Sequence, residues 1–280
     1  YAQRYDSAGE KVGGPTLVNF TTDENQYSPS AAGLSDGSYV AVWQSLSQDG
    51  SGWGLFAKHF AADGTQTSGE MQINTITTND QSEATVAALT DGGYAVTWTG
   101  YNAVNDTTDI YARVFQSSGV ALGDEFLVNT TTSGYQYTYG QIAETVTGLA
   151  GGRFAVTFTD QSDADGSTYG VYVRVFEANG TPVNAAQVLV NTTTANYQYS
   201  GSIGALADGG FVVAWTDNNR DGSGSGIFAQ RFDAGGVKVG GEFQANTYAY
   251  SSQEHAKIER LSDGGFVIVW HSYGIDGNGQ

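Results

Sequence analysis

Apolar and polar positions alternate along this chain with a period of two, in short runs broken by Gly, Asp and Asn. The clearest run is LADGGFVVAW, Leu206 to Trp215, and near copies follow the same pattern: LSDGSYVAVW from Leu34, LTDGGYAVTW from Leu89, LAGGRFAVTF from Leu149 and LSDGGFVIVW from Leu261. Each reads as an apolar strand end, a tight Gly-containing turn and a strand that closes on an aromatic, which predicts a β-hairpin. Hairpins recurring roughly every 55 residues make this a repeat protein. No stretch shows a sustained helical period.

Phased on the segment like FAQRF, the repeats start at Tyr1, Phe56, Tyr111, Tyr172 and Phe228. Each unit predicts a short strand, a Gly turn, a second strand ending in Asn (Asn19, Asn74, Asn129, Asn191, Asn246), a Thr- and Tyr-rich loop, and then the hairpin. A Gln follows the Asn as Gln26, Gln81, Gln198 and Gln253; in the third repeat Gln141 is the better match, so that loop carries five extra residues. The Asn and Gln read as pins between neighbouring repeats.

Four strands per unit in fivefold repetition predict an all-β fold, a single five-bladed β-propeller over residues 1–280. With the hairpin strands named A and B, and the two strands that follow C and D, the chain begins on C–D and ends on A–B. The two halves are expected to complete one blade and close the ring. The seam from Trp270 through Gln280 to Tyr1 is tight, and a start at Tyr1 in mid-repeat is expected of a processed or excised piece. The repeated aromatics Trp43, Trp98, Phe158, Trp215 and Trp270 read as packing between blades.

Composition narrows the partners. A formal charge of −18, from 29 acidic and 11 basic residues, disfavours nucleic acid and anionic membranes. Cysteine is absent, so thiolate metal sites and disulfides are excluded, and no apolar run is long enough to insert in a membrane.

The A–B and C–D turns share one face, and the long B–C and D–A loops share the other, where function is expected. Asp160, Asp163 and Asp165 in DQSDADG approach the alternating spacing that wraps a hard cation, which predicts calcium at the third repeat; Asp49, Asp106, Asp109, Asp217, Asp221 and Asp276 form weaker versions. The same DG dipeptides are ordinary turn signals. Tyr135, Tyr137, Tyr139, Tyr197, Tyr199, Tyr248, Tyr250 and Tyr273 fall in or beside these loops, where phenol rings beside Asp, Asn and Gln suit the apolar face and hydroxyls of a sugar. The carboxylates mostly recur at matching positions. Glu144 and Glu254 depart from the pattern, but Glu83 lies within a residue of matching Glu144. The histidines His59, His255 and His271 are scattered, and read as polar surface or loop packing, with His255 and His271 able to approach one another in the closing blade.

The joint pattern of LADGGFVVAW, a DGSGSG loop, IFAQRFDAGG and VGGEFQANT resembles the tandem repeats of large secreted bacterial proteins, adhesin-like chains of which many carry RTX-type calcium-binding segments. That resemblance implies export to the bacterial cell surface or matrix. The reading at this stage is an extracellular binding or adhesion module for glycans, not an enzyme. Its alternatives are a structural or self-assembling repeat that exchanges half-blades, and a five-bladed glycosidase-type enzyme.

Overall fold

In the computed structural model, which describes residues 1–274, the chain is all β apart from one short 3₁₀ turn, Ala150–Gly152. The seam loop, Asp276 included, lies outside the described residues. Strands β1 (Ala2–Tyr5) and β2 (Lys11–Thr16) pair with each other. Three four-stranded antiparallel sheets have the order A-B-C-D. The first is β3 (Gln26–Gly33), β4 (Tyr39–Leu46), β5 (Trp53–Phe60) and β6 (Met71–Gln72). The second is β7 (Gln81–Ala88), β8 (Tyr94–Asn102), β9 (Thr107–Phe115) and β10 (Phe126–Leu127).

In the third blade, strand A is cut into β11 (Tyr135–Tyr137) and β12 (Val146–Gly148), both of which pair with β13 (Phe154–Gln161). Beyond them lie β14 (Gly170–Phe176) and β15 (Val188–Leu189). The fourth blade is β16 (Gln198–Ala205), β17 (Phe211–Asn218), β18 (Ser225–Phe232) and β19 (Lys238–Gln244), and β20 (Gln253–Arg260) pairs with β21 (Phe266–Ser272).

The hairpin motif forms as the pattern predicts. In LADGG the Leu206 amide donates to the Gly210 carbonyl (2.8 Å), and Asp208 accepts from the Gly210 amide (3.1 Å). Gly209 sits at φ +88, a conformation glycine adopts at little cost. Strand B begins with an aromatic that stacks on the last aromatic of strand C: Tyr39 on Phe60, Tyr94 on Phe115, Phe154 on Phe176 and Phe211 on Phe232, at 4.7 to 5.2 Å. These pairs sit directly across the B–C ladder, so local pairing and sheet packing select the same register.

Neighbouring sheets pack face to face, and the innermost strands touch in series: β3 with β7, β7 with β12, β12 with β16, β16 with β20. Strand A therefore lines the axis, in the layout of a β-propeller. Between the first two sheets Val40, Val42, Leu55 and Ile73 meet Val86, Tyr94, Val96 and Trp98, and the later interfaces repeat this cluster. A cation from strand C bolts each of the first three sheets to the D strand before it. Lys58, Arg113 and Arg174 donate to the carbonyls of Val18, Ile73 and Val128 at 2.8 to 2.9 Å.

The Asn pins work at both levels. Their amide oxygens accept from the backbone of strand C in their own blade (Leu55, Ile110, Val171, Ile227), extending the C–D ladder. Their amide nitrogens donate onward to Gln26, Gln136, Gln198 and Gln253 at the start of the next blade. The third-blade counterpart is therefore Gln136, seven residues after Asn129 like the others, and not Gln141. The five extra residues enter strand A after Gln136 and break it in two. His59, read from the sequence as polar surface or loop packing, is buried on strand C against Tyr94, and burial holds its pKa down.

The fifth unit differs. Among the described residues β1 pairs with β2 and β21 with β20, as separate two-stranded sheets, and the pairing expected between β21 and β1 is not formed. One face of β20–β21 packs on the fourth blade through Ile258, Phe266, Ile268 and Trp270. The other is bare. Leu261, Val267 and Val269 are 43, 39 and 56% exposed, whereas Leu206, Val212 and Ala214, which hold the same places one blade earlier, are 6, 0 and 0% exposed. Ala2 and Val18 pack instead with Trp43, Phe56 and Phe60 of the first full blade.

Candidate functional site

Each strand A of unbroken length carries a bulge near its start, at the loop-rich end of the axis. The ladder slips between Tyr27 and Ser30, Ser82 and Thr85, Tyr199 and Ser202, and Glu254 and Lys257. The bulge places Ser28, Glu83, Ser200 and His255 at φ +50 to +59, left-handed backbone that side chains rarely adopt. Bulges re-aim side chains next to functional sites. Here they present a ring of residues to the axis, and the ring is chemically uneven: serine in two blades, glutamate in one, histidine in another.

Glu83 is the most constrained of them. Its carboxylate accepts from the Tyr139 amide (3.1 Å), its own amide donates to Gln44 (3.1 Å), and its carbonyl accepts from Thr138 (3.1 Å). Burial raises its pKa, and the Tyr139 hydrogen bond offsets that only in part. A carboxyl whose pKa is raised by burial is shifted toward the role of proton donor. Across the axis Glu254 accepts from the Tyr199 hydroxyl (3.5 Å) and lies 3.9 Å from His255, itself 5.6 Å from His271 ring to ring. Glu254 opens into a cavity of about 460 Å³ lined by Tyr250, Ser251, Ser252, Tyr273 and Gly274.

Tyrosines span the gap between the two glutamates. Tyr135, Tyr137, Tyr139 and Tyr199 form a row with ring centroids 6.1 to 6.4 Å apart. Tyr197 meets the edge of Tyr169 at 5.1 Å, and Tyr248 meets Tyr250 at 6.3 Å. Burial, helped by neighbouring phenols and Glu83, raises the pKa of Tyr137 and Tyr139, so both stay protonated donors. Of the eight tyrosines expected to bind, four form a row from blade three to blade four, Tyr248, Tyr250 and Tyr273 group around the Glu254 cavity, and Tyr197 pairs with Tyr169 apart from both.

The aspartates of DQSDADG do not converge. Asp160 is buried at the end of β13, where it accepts from Gln136 (3.1 Å) and Gln187 (2.7 Å). Asp165 caps the Ser167 amide of its own turn (2.9 Å) and takes a long bond from the Asn191 pin (3.5 Å). Asp163 is exposed at φ +58. Among the described residues no three His, Asp or Glu side chains gather as a metal site. The recurring Asp49, Asp109 and Asp221 likewise accept from Asn74, Asn129 and Asn246, which accounts for the DG loops as braces for the pins.

No family model and no curated protein matches this sequence. Solved structures do share the fold. A protein of unknown function from Dyadobacter fermentans superposes with a TM-score of 0.60 at 11% identity, covering 91% of this chain and 77% of its own. An α-L-arabinofuranosidase of Fusarium graminearum gives 0.61 at 10%, covering 90 and 77%. A Penicillium chrysogenum α-L-arabinanase, solved with arabinobiose, gives 0.58 at 12%, covering 93 and 82%. Likeness at this identity establishes the β-propeller fold.

The expectation of a non-catalytic adhesion module is corrected at this point. Two of these neighbours are glycosidases, and Glu83 and Glu254 stand at the loop-rich end of strand A in different blades. Glu254 was visible in the sequence as a departure from the repeat. Glu83 was masked by its near match to Glu144, and the structure separates them by environment: Glu144 is exposed, 3.9 Å from Lys257, while Glu83 sits in the bulge. Tyr169 gave no signal beyond being aromatic.

Proposed function

We propose that the protein is a glycoside hydrolase that works at the loop-rich mouth of a closed five-bladed propeller. The observation that carries this reading is the pair of glutamates, Glu83 in the bulge of the second blade and Glu254 beside the bulge of the fifth unit, with the tyrosine row between them. Glu83, whose pKa burial raises, donates its proton to the glycosidic oxygen as the C–O bond breaks. Glu254, held by Tyr199 and open to the cavity, is the second carboxylate that glycoside hydrolysis uses, and water completes the products. The phenol rings offer apolar faces to a sugar, and the strongly acidic chain favours a neutral glycan over an anionic one. Arabinose-containing glycans are the first class to try, given the arabinobiose bound by the Penicillium neighbour.

Closure of the ring belongs to the same reading. The four intact blades supply the register, which pairs Phe266 with Tyr5, Ile268 with Gln3 and Trp270 with Tyr1. Burying Leu261, Val267 and Val269 against the first full blade contributes roughly 1.5–3 kcal/mol for each side chain.

The test is release of reducing ends from linear arabinan and of the aryl alcohol from an aryl α-L-arabinofuranoside. E83Q and E254Q should each lower kcat/KM by about 10²–10⁴-fold while arabino-oligosaccharide binding persists. Rates untouched by both changes, or a wild type inert on these substrates, would reject the assignment.

A further inference from the structure

The insertion in the third blade has a reach that none of the regular loops shares. It leaves β11 at Thr138, whose amide donates to the Thr99 hydroxyl (3.0 Å), and Tyr139 follows at φ +55 with its amide on Glu83. Gly140 passes so close to the second blade that a Cβ there would lie 2.1 Å from the Glu83 carbonyl oxygen. Gln141 then lines a cavity of about 290 Å³ with Tyr27, Ser28, Pro29 and Gln44 of the first full blade. On its other side Gln141 and Ile142 line a cavity of about 310 Å³ with His255, Lys257, Trp270 and His271 of the fifth unit. The Tyr139 ring faces Tyr199 of the fourth blade. One short segment thus meets every other blade, which is possible only if it lies across the axis.

The segment is also stiff. The amides of Ile142 and Ala143 both donate to the Tyr139 carbonyl (2.9 and 3.0 Å), Ala143 is buried, and the chain returns through Thr145, whose hydroxyl bonds to Thr85 at 2.6 Å. A turn tied in this way is a fixed wall, not a swinging lid.

Building on the hydrolase reading, we propose that Tyr139–Ala143 is a stopper that makes the mouth blind, so that the enzyme accepts only the end of a glycan chain and releases short products from it. The stopper stands against Glu83 and fills the side of the mouth through which a chain threaded past both carboxylates would have to continue. The open space lies on the Glu254 side, where the 460 Å³ cavity is of ordinary ligand size. Gln141 and Ile142 act here on specificity, through the room they deny, and take no part in the chemistry.

Deleting Tyr139–Ala143 restores in blade three the Gln-to-Thr spacing of Gln81 to Thr85, and so asks the chain to fold as its other blades already do. The milder double change Q141A/I142A opens the same side and keeps the turn. Wild type on linear arabino-oligosaccharides should give only short products from one end, whereas either variant should cut internally. A second readout needs no turnover. In an E83Q background, calorimetric affinity should stay within about twofold from the shortest binding oligomer to the hexamer with the stopper present, and rise at least about tenfold over that range with it removed. Internal cleavage by wild type, or identical product patterns and length profiles with and without the stopper, would overturn the inference and leave the hydrolase reading standing. Absence of both hydrolysis and binding by wild type would sink the hydrolase reading, and the stopper with it.

Discussion

The role proposed for Glu83 depends on a backbone conformation that most side chains avoid, since the bulge at φ +59 turns it to the axis where Ser28 and Ser200 stand in other blades. Its raised pKa has two consequences of definite sign. As proton donor it must hold its proton, so activity is present below its folded pKa and falls as pH rises through that value; the falling limb should be missing from whatever activity E83Q retains. The same shift bears on stability. A carboxyl whose folded pKa exceeds its unfolded value stabilises most at low pH, and that contribution is lost as pH climbs through the folded pKa. E83Q should therefore melt at a higher temperature than wild type near pH 8, and the advantage should vanish near pH 4. An equal melting difference at both pH values would show that the buried carboxyl carries no such cost. At this scale the sequence was least informative: it marked Glu254 as unusual, but the environment that distinguishes Glu83 from Glu144 arises from a bulge and an insertion that alternation alone does not reveal.

At the scale of elements, the D strands carry a device that complements the Asn pins. Four residues before the Asn, Glu70, Glu125, Gln187 and Glu242 reach back to the previous blade's loop. They accept from the amides of Phe20 and Thr21, of Thr75 and Ile76, of Thr130 and Thr131, and of Thr192. Pins hold a blade together, and latches hold it to its neighbour. N129A would strip the Ile110 amide of its acceptor and Asp109 of one of its two side-chain donors in a fully buried setting, at a cost of about 1–3 kcal/mol. E125A, half exposed at the rim, should cost less. Urea denaturation separates the two, and equal losses would contradict the difference in burial. The pins were legible because Asn and Gln recur at fixed spacing. The latches were missed because one of them is Gln and because their targets are backbone amides, which leave no trace in the sequence. The insertion was detected and correctly sized, but its register was misplaced: anchoring on the hairpin turn shifted the match from Gln136 to Gln141 and hid the break in strand A.

For the whole molecule, the repeat pattern carried the fold, because each hairpin signals its own turn, register and aromatic pair without help from distant residues. What it could not carry was the state of the seam, where two half-blades sit on different neighbours. Pro15 occupies there the place of the latch carboxylates, and Gln3 the place of Lys58, Arg113 and Arg174. In the proposed ring this joint would lack both the latch carboxylate and the strand-C cation. Gln3→Cys with Ile268→Cys should form a disulfide in a monomer if the ring closes on itself in the inferred register, since directly paired strand residues bring their Cβ atoms within bonding reach. Mass spectrometry and light scattering would read it. A cross-linked dimer would show instead that copies exchange halves, and persistent free thiols would show that the edges do not meet.

Gln141 and Ile142 of the segment Tyr139–Ala143 share cavity walls with Tyr27 and Ser28 on one side of that joint and with His255 and His271 on the other. In the closed ring proposed above it is the keystone. A sugar lodged beside Glu254 would press the same arch together, so that occupancy of the mouth and integrity of the circle become one equilibrium, and the protein would be most completely folded when it is at work.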